Sequence, residues 1–342
     1  MYLAYLCMRL SRPHRRCAAW SLALAGCMAL SGCGGGGGDS GSTAASGSPN
    51  SATVPAVTSP APATSPNPAS PAAPAGTTPP AGTVTAKSAK RGVAYDLANP
   101  LDLAALAPGV SWWYNWSSQP NALVPADYRA QYQMDFYPML WNGNYDAASI
   151  EASLKQNPQI KYLLVLNEPN QSDQSNLTPQ QAASLWPGFE AIAAHTGVKI
   201  VGPAISWGTM PGYADPVVWL DAFYAAYRSA NGNRDPQIDY LAFHWYDYGL
   251  AAQLDRLAKY GKPFWVTEFA NWHAQADGAQ IDTLAKQEAQ MTDMVATCEA
   301  RADVFRYAWF TGRWNNDSHF TSLLGAPGQL TGLGRLYLSL PH

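Results

Sequence analysis

Two glutamates occupy comparable places in the chain. Glu168 follows the apolar run Val165-Leu166 in the string Asn167-Glu168-Pro169-Asn170, and Glu268 follows Trp265-Val266-Thr267 and precedes Phe269-Ala270. They are 100 residues apart. Hydrolysis of a glycosidic bond needs two carboxyls in one cleft, one protonated and one ionised. In the retaining geometry they stand about 5–5.5 Å apart, one as nucleophile and the other as acid and then base. At that distance two negative charges repel by about 3 kcal/mol with an effective dielectric of about 20. That equals about two pKa units, enough to keep one carboxyl protonated near neutrality. Once the nucleophile is glycosylated its charge is gone, its partner's pKa falls, and the partner can act as base toward water. Either glutamate alone is equally well explained as an ion pair or a helix cap. Only the pair carries the chemistry.

The elements that must bring them together are legible as a repeat. Short apolar runs lie at residues 92–95, 110–116, 134–141, 162–166, 199–205, 240–246, 264–269 and 304–310. Most are continuously apolar rather than alternating, the mark of parallel strands covered on both faces. Helical patterns fall between them. Residues 179–194 follow Thr178, a capping residue, with Pro179 at the first helical position. Residues 216–229 carry Val218, Leu220, Phe223, Tyr224 and Tyr227, and residues 279–299 have apolar positions at helical spacing. Eight strand–helix units predict an α/β fold, a single (β/α)8 TIM barrel over residues 90–342. A doubly wound sheet is the alternative, but no Gly-x-Gly-x-x-Gly follows the first strand. In a barrel the chemistry sits at the carboxyl ends of the strands. Glu168 and Glu268 then end the fourth and seventh strands, nearly opposite across one mouth.

Other residues at strand ends can support the pair. Tyr246 ends the sixth run and can donate a hydrogen bond to Glu268. His244, two residues earlier, faces the same side and can orient a carboxylate or a sugar hydroxyl. Trp141 ends the third run and Trp309 lies in the eighth; with Trp113, Trp272 and Trp314 they are candidates for stacking on sugar rings, against the competing explanation of core packing. Asn115, Tyr95 and Asp96 are candidates for bonding sugar hydroxyls. No metal and no cofactor is expected: the six histidines are scattered, and neither His-Glu-x-x-His nor a cysteine pair occurs. The Gly-x-Ser-x-Gly elbow of serine hydrolases is also missing.

Asn167-Glu168-Pro169 after the fourth strand and Glu268 after the seventh resemble clan A of the retaining glycoside hydrolases. More narrowly, five strings resemble glycoside hydrolase family 128, the group with an Asl1-like catalytic core. They are Trp112-Trp113-Tyr114-Asn115-Trp116, Tyr137-Pro138-Met139-Leu140-Trp141, Asn167-Glu168-Pro169-Asn170 with Ser175-Asn176-Leu177-Thr178-Pro179, Phe243-His244-Trp245-Tyr246, and the stretch from Lys262 to Ala270. The resemblance runs in order over most of residues 91–311. It implies a β-1,3-glucanase, retaining and endo-acting, with Glu168 as acid/base, Glu268 as nucleophile and Asn167 on the substrate 2-hydroxyl. Two alternatives stay open. One is a non-catalytic surface β-1,3-glucan-binding lipoprotein, since some relatives bind without much hydrolysis; the other is a clan relative acting on another β-glycan, such as mannan or xylan.

Composition fits a carbohydrate partner. The 342 residues are 47% hydrophobic and only 13% charged, against about a quarter charged in a typical soluble domain. A formal net charge of −3 disfavours nucleic acid, whose phosphates need clustered Lys and Arg. Thirteen Trp and 18 Tyr suit stacking on sugar faces. A monomer is expected.

Residues 1–32 read as a lipoprotein signal peptide. Arg9, Arg12, Arg15 and Arg16 form a basic start (Met8 is an alternative first residue), and residues 18–30 form an apolar stretch of 13, too short to span a bilayer. It ends at Leu30-Ser31-Gly32-Cys33, which resembles a bacterial lipobox and implies a lipid on Cys33. Residues 33–89 are rich in Gly, Ser, Thr, Ala and Pro, with nothing to bury, and read as a disordered tether. The chain is therefore expected to be exported and membrane-anchored, in the periplasm or on the cell surface. Cys298 is the one cysteine left for the folded part, so no internal disulfide is expected.

Overall fold

The structure, a computed structural model, describes residues 87–342. The signal peptide, Cys33 and almost all of the tether lie outside the described residues. Lys87 and Ser88, inside the stretch that composition assigns to the tether, are in contact with the folded part. Lys87 Nζ donates to the carbonyls of Ala107, Val110 and Tyr132 at 3.1, 2.9 and 3.2 Å, and Ser88 Oγ donates to Glu299 at 2.6 Å. These are polar contacts, which a composition shift cannot register.

Among the described residues nine strands form one sheet. They are β1 (Arg91–Ala94), β2 (Trp112–Tyr114), β3 (Asp135–Phe136), β4 (Met139–Leu140), β5 (Tyr162–Val165), β6 (Lys199–Ile205), β7 (Tyr240–Trp245), β8 (Phe264–Phe269) and β9 (Val304–Trp309). Every paired neighbour is parallel. The order is β3-β2-β1-β9-β8-β7-β6-β5-β4, so the first strand lies beside the last. A doubly wound sheet would reverse direction at a switch point; this one curls round. The two end strands, β3 and β4, are pieces of the third apolar run separated only by Tyr137 and Pro138. The fold is an α/β barrel-like one, and all eight runs contribute strand.

Among the described residues eight α-helices punctuate the strands: α1 (Pro100–Leu106), α2 (Tyr128–Tyr132), α3 (Ala147–Gln156), α4 (Pro179–Thr196), α5 (Pro216–Ala230), α6 (Leu250–Leu257), α7 (Leu284–Ala300) and α8 (Gly332–Ser339). Thr178 caps α4 as expected, in a reciprocal capping box with Gln181. α7 starts five residues later than the periodicity predicts, because Thr283 caps it by accepting from Lys286 N. The residues before it belong to a loop at the carboxyl ends of the strands.

Burial divides the strand side chains into two sets, as their period of two requires. Trp112, Tyr114, Met139, Leu164, Val201, Ala204, Ala242, Trp265, Ala308 and Phe310 pack together inside the curl. Trp113, Phe136, Leu163, Val165, Ile200, Phe243, Val266 and Trp309 pack with the helices outside it. The interior pairs large with small. A Cβ on Gly92 would lie 2.3 Å from the Trp112 ring, so only glycine admits that indole.

Candidate active site

Glu168 is presented by a strained turn. Leu166 and Glu168 hold φ of 57° and 43°, left-handed values that cost a non-glycine residue about 1–2 kcal/mol each. Such strain persists only where the surroundings over-determine it, and here they do. Asn167 N donates to Trp141 O and Glu168 N to Ala204 O, both at 2.8 Å, and Leu177 N reaches Pro169 O at 2.9 Å. Buried Asn170 ties the turn to the next loop, its Nδ2 donating to Ser206 O at 2.7 Å. Glu268 lies inside β8, directly across from His244 on β7.

The fold brings the three together. One oxygen of Glu168, one ring nitrogen of His244 and one oxygen of Glu268 all lie within 4.8 Å of one another. His244 Nδ1 is 3.1 Å from Glu168 Oε1 and 3.3 Å from Glu268 Oε2. All three residues are buried. Their hydrogen bonding differs. Tyr114 OH and Trp116 Nε1 both donate to Glu268 Oε1 at 2.7 Å, and Tyr246 OH donates to Oε2. Glu168 has the His244 ring as a side-chain partner.

Groups this close titrate together. Burial pushes the Glu268 carboxyl up; the His244 ring pulls it down, Glu168 pushes it up, and the Tyr246 and Tyr114 hydroxyls pull it down, leaving it above the ordinary range. Burial alone would lower the His244 pKa, but Glu268 and Glu168 outweigh it and hold it raised. Burial and the same two carboxylates push Tyr114 and Tyr246 well above the usual tyrosine value, so both remain donors. Glu268 thus has donors on both oxygens. The cluster has the residue types of a cation site, yet three N–H and O–H donors already bond the Glu268 oxygens. That suits proton chemistry.

A third feature concerns Asn167. Its Nδ2 donates to Gln174 Oε1 at 3.2 Å, while its Oδ1 is buried with no hydrogen-bond partner among the described residues. A buried acceptor left unpaired is costly.

Comparison with known proteins decides the family. The sequence pattern described as glycosyl hydrolase catalytic core matches residues 92–337. The chain belongs to that family. A solved subgroup II endo-β-1,3-glucanase of glycoside hydrolase family 128 from Pseudomonas viridiflava is 64% identical, covering 75% of this chain and 100% of that one with a TM-score of 0.75. Another subgroup II endo-β-1,3-glucanase, from Sorangium cellulosum, is 35% identical over 74% of this chain and 98% of that one, TM-score 0.63. Among curated proteins, Alkali-sensitive linkage protein 1 of Schizosaccharomyces pombe is 27% identical over 272 residues, 74% of this chain. The chain spans only 45% of that relative's length. This glycosyl hydrolase is therefore a member of family 128.

The remaining candidates of this glycosyl hydrolase separate by side-chain parity. Tyr246 reaches Glu268, and Trp272 stacks on Tyr246 with ring centres 4.2 Å apart. Trp314 meets Trp272 edge-on at 5.7 Å. Trp141 is half-buried at the end of β4, against the interior cluster. Asn115 stays at the rim, where its Nδ2 donates to Asp96 at 3.0 Å and to Gln119 O at 3.1 Å; it touches neither glutamate. Tyr95, beside it, packs on the backbone of Gly312 and accepts from Arg313 at 3.4 Å.

Two expectations need correcting. Trp113 is fully buried between sheet and helices, edge-on to Tyr128 and Phe136. Trp309 is likewise fully buried, donating to Thr321 O at 2.8 Å and packing on Phe269. Neither offers a face to a sugar. In both strands the neighbouring residues point inward: Tyr114 and Trp116 beside Trp113, and Phe310 beside Trp309. Tyr114 and Trp116 were the functional residues missed. The string Trp112-Trp113-Tyr114-Asn115-Trp116 is aromatic on both faces and hides them.

Proposed function

We propose that this chain is a retaining, endo-acting β-1,3-glucanase with Glu268 as nucleophile and Glu168 as acid/base. The observation that carries the proposal is the carboxylate separation: a Glu168 oxygen lies within 4.8 Å of a Glu268 oxygen. Inverting enzymes need about 6.5–9.5 Å to admit a water between their carboxyls, whereas retaining ones need about 5–5.5 Å. The roles follow from the donors. Tyr114, Trp116 and Tyr246 aim Glu268 and their donated hydrogen bonds favour its charged form, as an attacking carboxylate requires. Glu168 carries the proton for the leaving oxygen, then accepts one from water as the glycosyl–Glu268 ester is hydrolysed. The substrate class is supported by the P. viridiflava and S. cellulosum relatives, both endo-β-1,3-glucanases. Counting β3 and β4 as one interrupted strand, the scaffold is a (β/α)8 barrel.

Reducing-sugar release from laminarin and curdlan by the purified chain, with products followed by NMR, tests this. β-Configured oligosaccharides of mixed length are expected first. Inverted products would remove the double displacement, and glucose alone at early times would make the enzyme exo-acting. Tight binding of laminari-oligosaccharides with no turnover would leave the glucan-binding lipoprotein.

We further propose that the enzyme is an exported lipoprotein held to a membrane through Cys33, on the strength of the lipobox-like string alone. A Cys33→Ser variant is expected to leave the membrane fraction for the soluble one.

A further inference from the structure

Trp207 follows β6 at the carboxyl-end face and is the one tryptophan exposed among the described residues, at 37%. Single exposed apolar side chains are ordinary on protein surfaces. This one is held in place. Its Nε1 donates to Gln253 Oε1 at 3.0 Å, and the Arg256 guanidinium lies 5.1 Å from the ring centre. Arg256 is itself fixed by Asp215 Oδ2 at 2.6 Å and Gln253 Oε1 at 3.1 Å. The indole therefore projects from a frame supplied by α6 and the cap of α5.

The same loop is joined to the turn that carries Glu168. Ala204, three residues before Trp207, accepts from Glu168 N at 2.8 Å and pairs with Asn167. Three residues reach at most about 10 Å, so the Trp207 backbone lies close to that turn. Gln171 Nε2 donates to Ser206 Oγ at 3.3 Å. Asn170 O accepts from Thr209 N and Met210 N at 3.1 and 2.9 Å, closing the loop on the residue two past the glutamate.

We propose that Trp207 is a distal binding platform for a β-glucan chain on the leaving-group side of the cleft, at least one sugar beyond the bond that is cut. It rests on the glucanase function proposed above, and adds to it a subsite. An acid/base must touch the leaving oxygen, so the chain past that oxygen runs out over the rim next to Glu168, where Trp207 stands. The apolar C–H face of a pyranose can cover the indole without breaking its N–H bond to Gln253, which lies at the ring edge. Because the ring is already fixed, little conformational entropy is lost on contact.

The test compares the wild-type full chain with Trp207→Ala and Trp207→Phe on laminari-oligosaccharides of increasing length. The ratio of kcat/KM for the hexaose to that for the shortest oligosaccharide cleaved is expected to fall about tenfold in Trp207→Ala, the effect of one aromatic contact. Trp207→Phe, which keeps a flat ring, is expected to recover most of it. Calorimetry of laminarihexaose binding in the Glu268→Gln background needs no turnover, and the added Trp207→Ala change is expected to weaken the hexaose more than the triose. Wild-type length dependence in Trp207→Ala, or equal weakening of short and long ligands, would overturn the subsite. Absence of wild-type turnover would instead count against the glucanase, with the binding comparison still deciding the role of Trp207.

Discussion

Trp272 lies face to face with Tyr246, ring centres 4.2 Å apart and planes within 25°, and Tyr246 donates to the carboxylate of Glu268. The loop after β8 thus braces the hydroxyl that bonds Glu268, the proposed nucleophile. Tyr246→Phe removes a donor that lowers the Glu268 pKa, so that pKa rises. The acidic limb of the kcat/KM profile, where Glu268 must lose its proton, is expected to move to higher pH. A hydrogen bond to a charged group is worth about 1.5–3 kcal/mol, so kcat should fall about tenfold to a hundredfold. Tyr114→Phe should move the limb the same way, and an unmoved limb in both variants would remove these hydroxyls from nucleophile control.

The two glutamates should fail differently. Glu168→Ala leaves the nucleophile intact, so an activated aryl β-glycoside with a good leaving group should still glycosylate Glu268, and azide should restore turnover with a β-glycosyl azide as product. Glu268→Ala removes the covalent step, and its azide product should be the α anomer. On laminarin each variant should lose at least about 10²–10⁴-fold, the usual scale of acid–base catalysis. The same azide anomer from both variants would contradict the assignment of roles.

His273 clasps the loop that carries Trp272. Its Nδ1 is 2.9 Å from Asp247 Oδ1 and its Nε2 is 2.9 Å from Asp277 Oδ2, and Tyr248 meets its ring edge-on at 5.3 Å. Both nitrogens face carboxylates, so both bonds form fully only when the ring is protonated. Burial pulls the His273 pKa down, but Asp277 and Asp247 outweigh it and hold it above its ordinary value. A raised pKa gives a clasp that is complete below the unfolded value of about 6.5 and is lost as pH rises through the folded one. Amide exchange over residues 270–282 should accelerate on that alkaline passage, after correction for intrinsic rates. In His273→Ala it should be fast throughout, with no such step.

The barrel was legible because continuous apolar runs report burial on both faces, and both glutamates because such runs end in them. Parity was not legible. In β2 every position from Trp112 to Tyr114 is apolar and fully buried, so no alternation of polarity shows which side chains face the interior. The same holds for Ala308, Trp309 and Phe310. The third run reads as one strand, but Pro138 lacks an N–H, and strand pairing breaks there into β3 and β4. Trp116, at φ 59°, lies beyond β2 in a conformation that strand periodicity does not foresee, and so its bond to Glu268 could be found only in three dimensions.

Gly208 gives the sharpest test of how the acid/base is held. A Cβ there would lie 2.1 Å from the carbonyl oxygen of Asn170, a backbone atom that cannot rotate away. That oxygen accepts from Thr209 N and Met210 N, and the Asn170 side chain donates to Ser206 O. Gly208→Ala must therefore push apart the β6 loop and the turn two residues past Glu168. Misplacing a reacting group by about 1 Å can cost about a hundredfold in rate, so kcat on laminarin should fall by about that much with the thermal midpoint also lowered. Gly261 is the control: its φ is 63° but a Cβ would meet nothing within 4 Å, so Gly261→Ala strains the backbone without touching that turn. Stability should drop in both variants and kcat mainly in Gly208→Ala. Comparable kcat losses in the two would mean that the Asn170 contact does not set the position of Glu168.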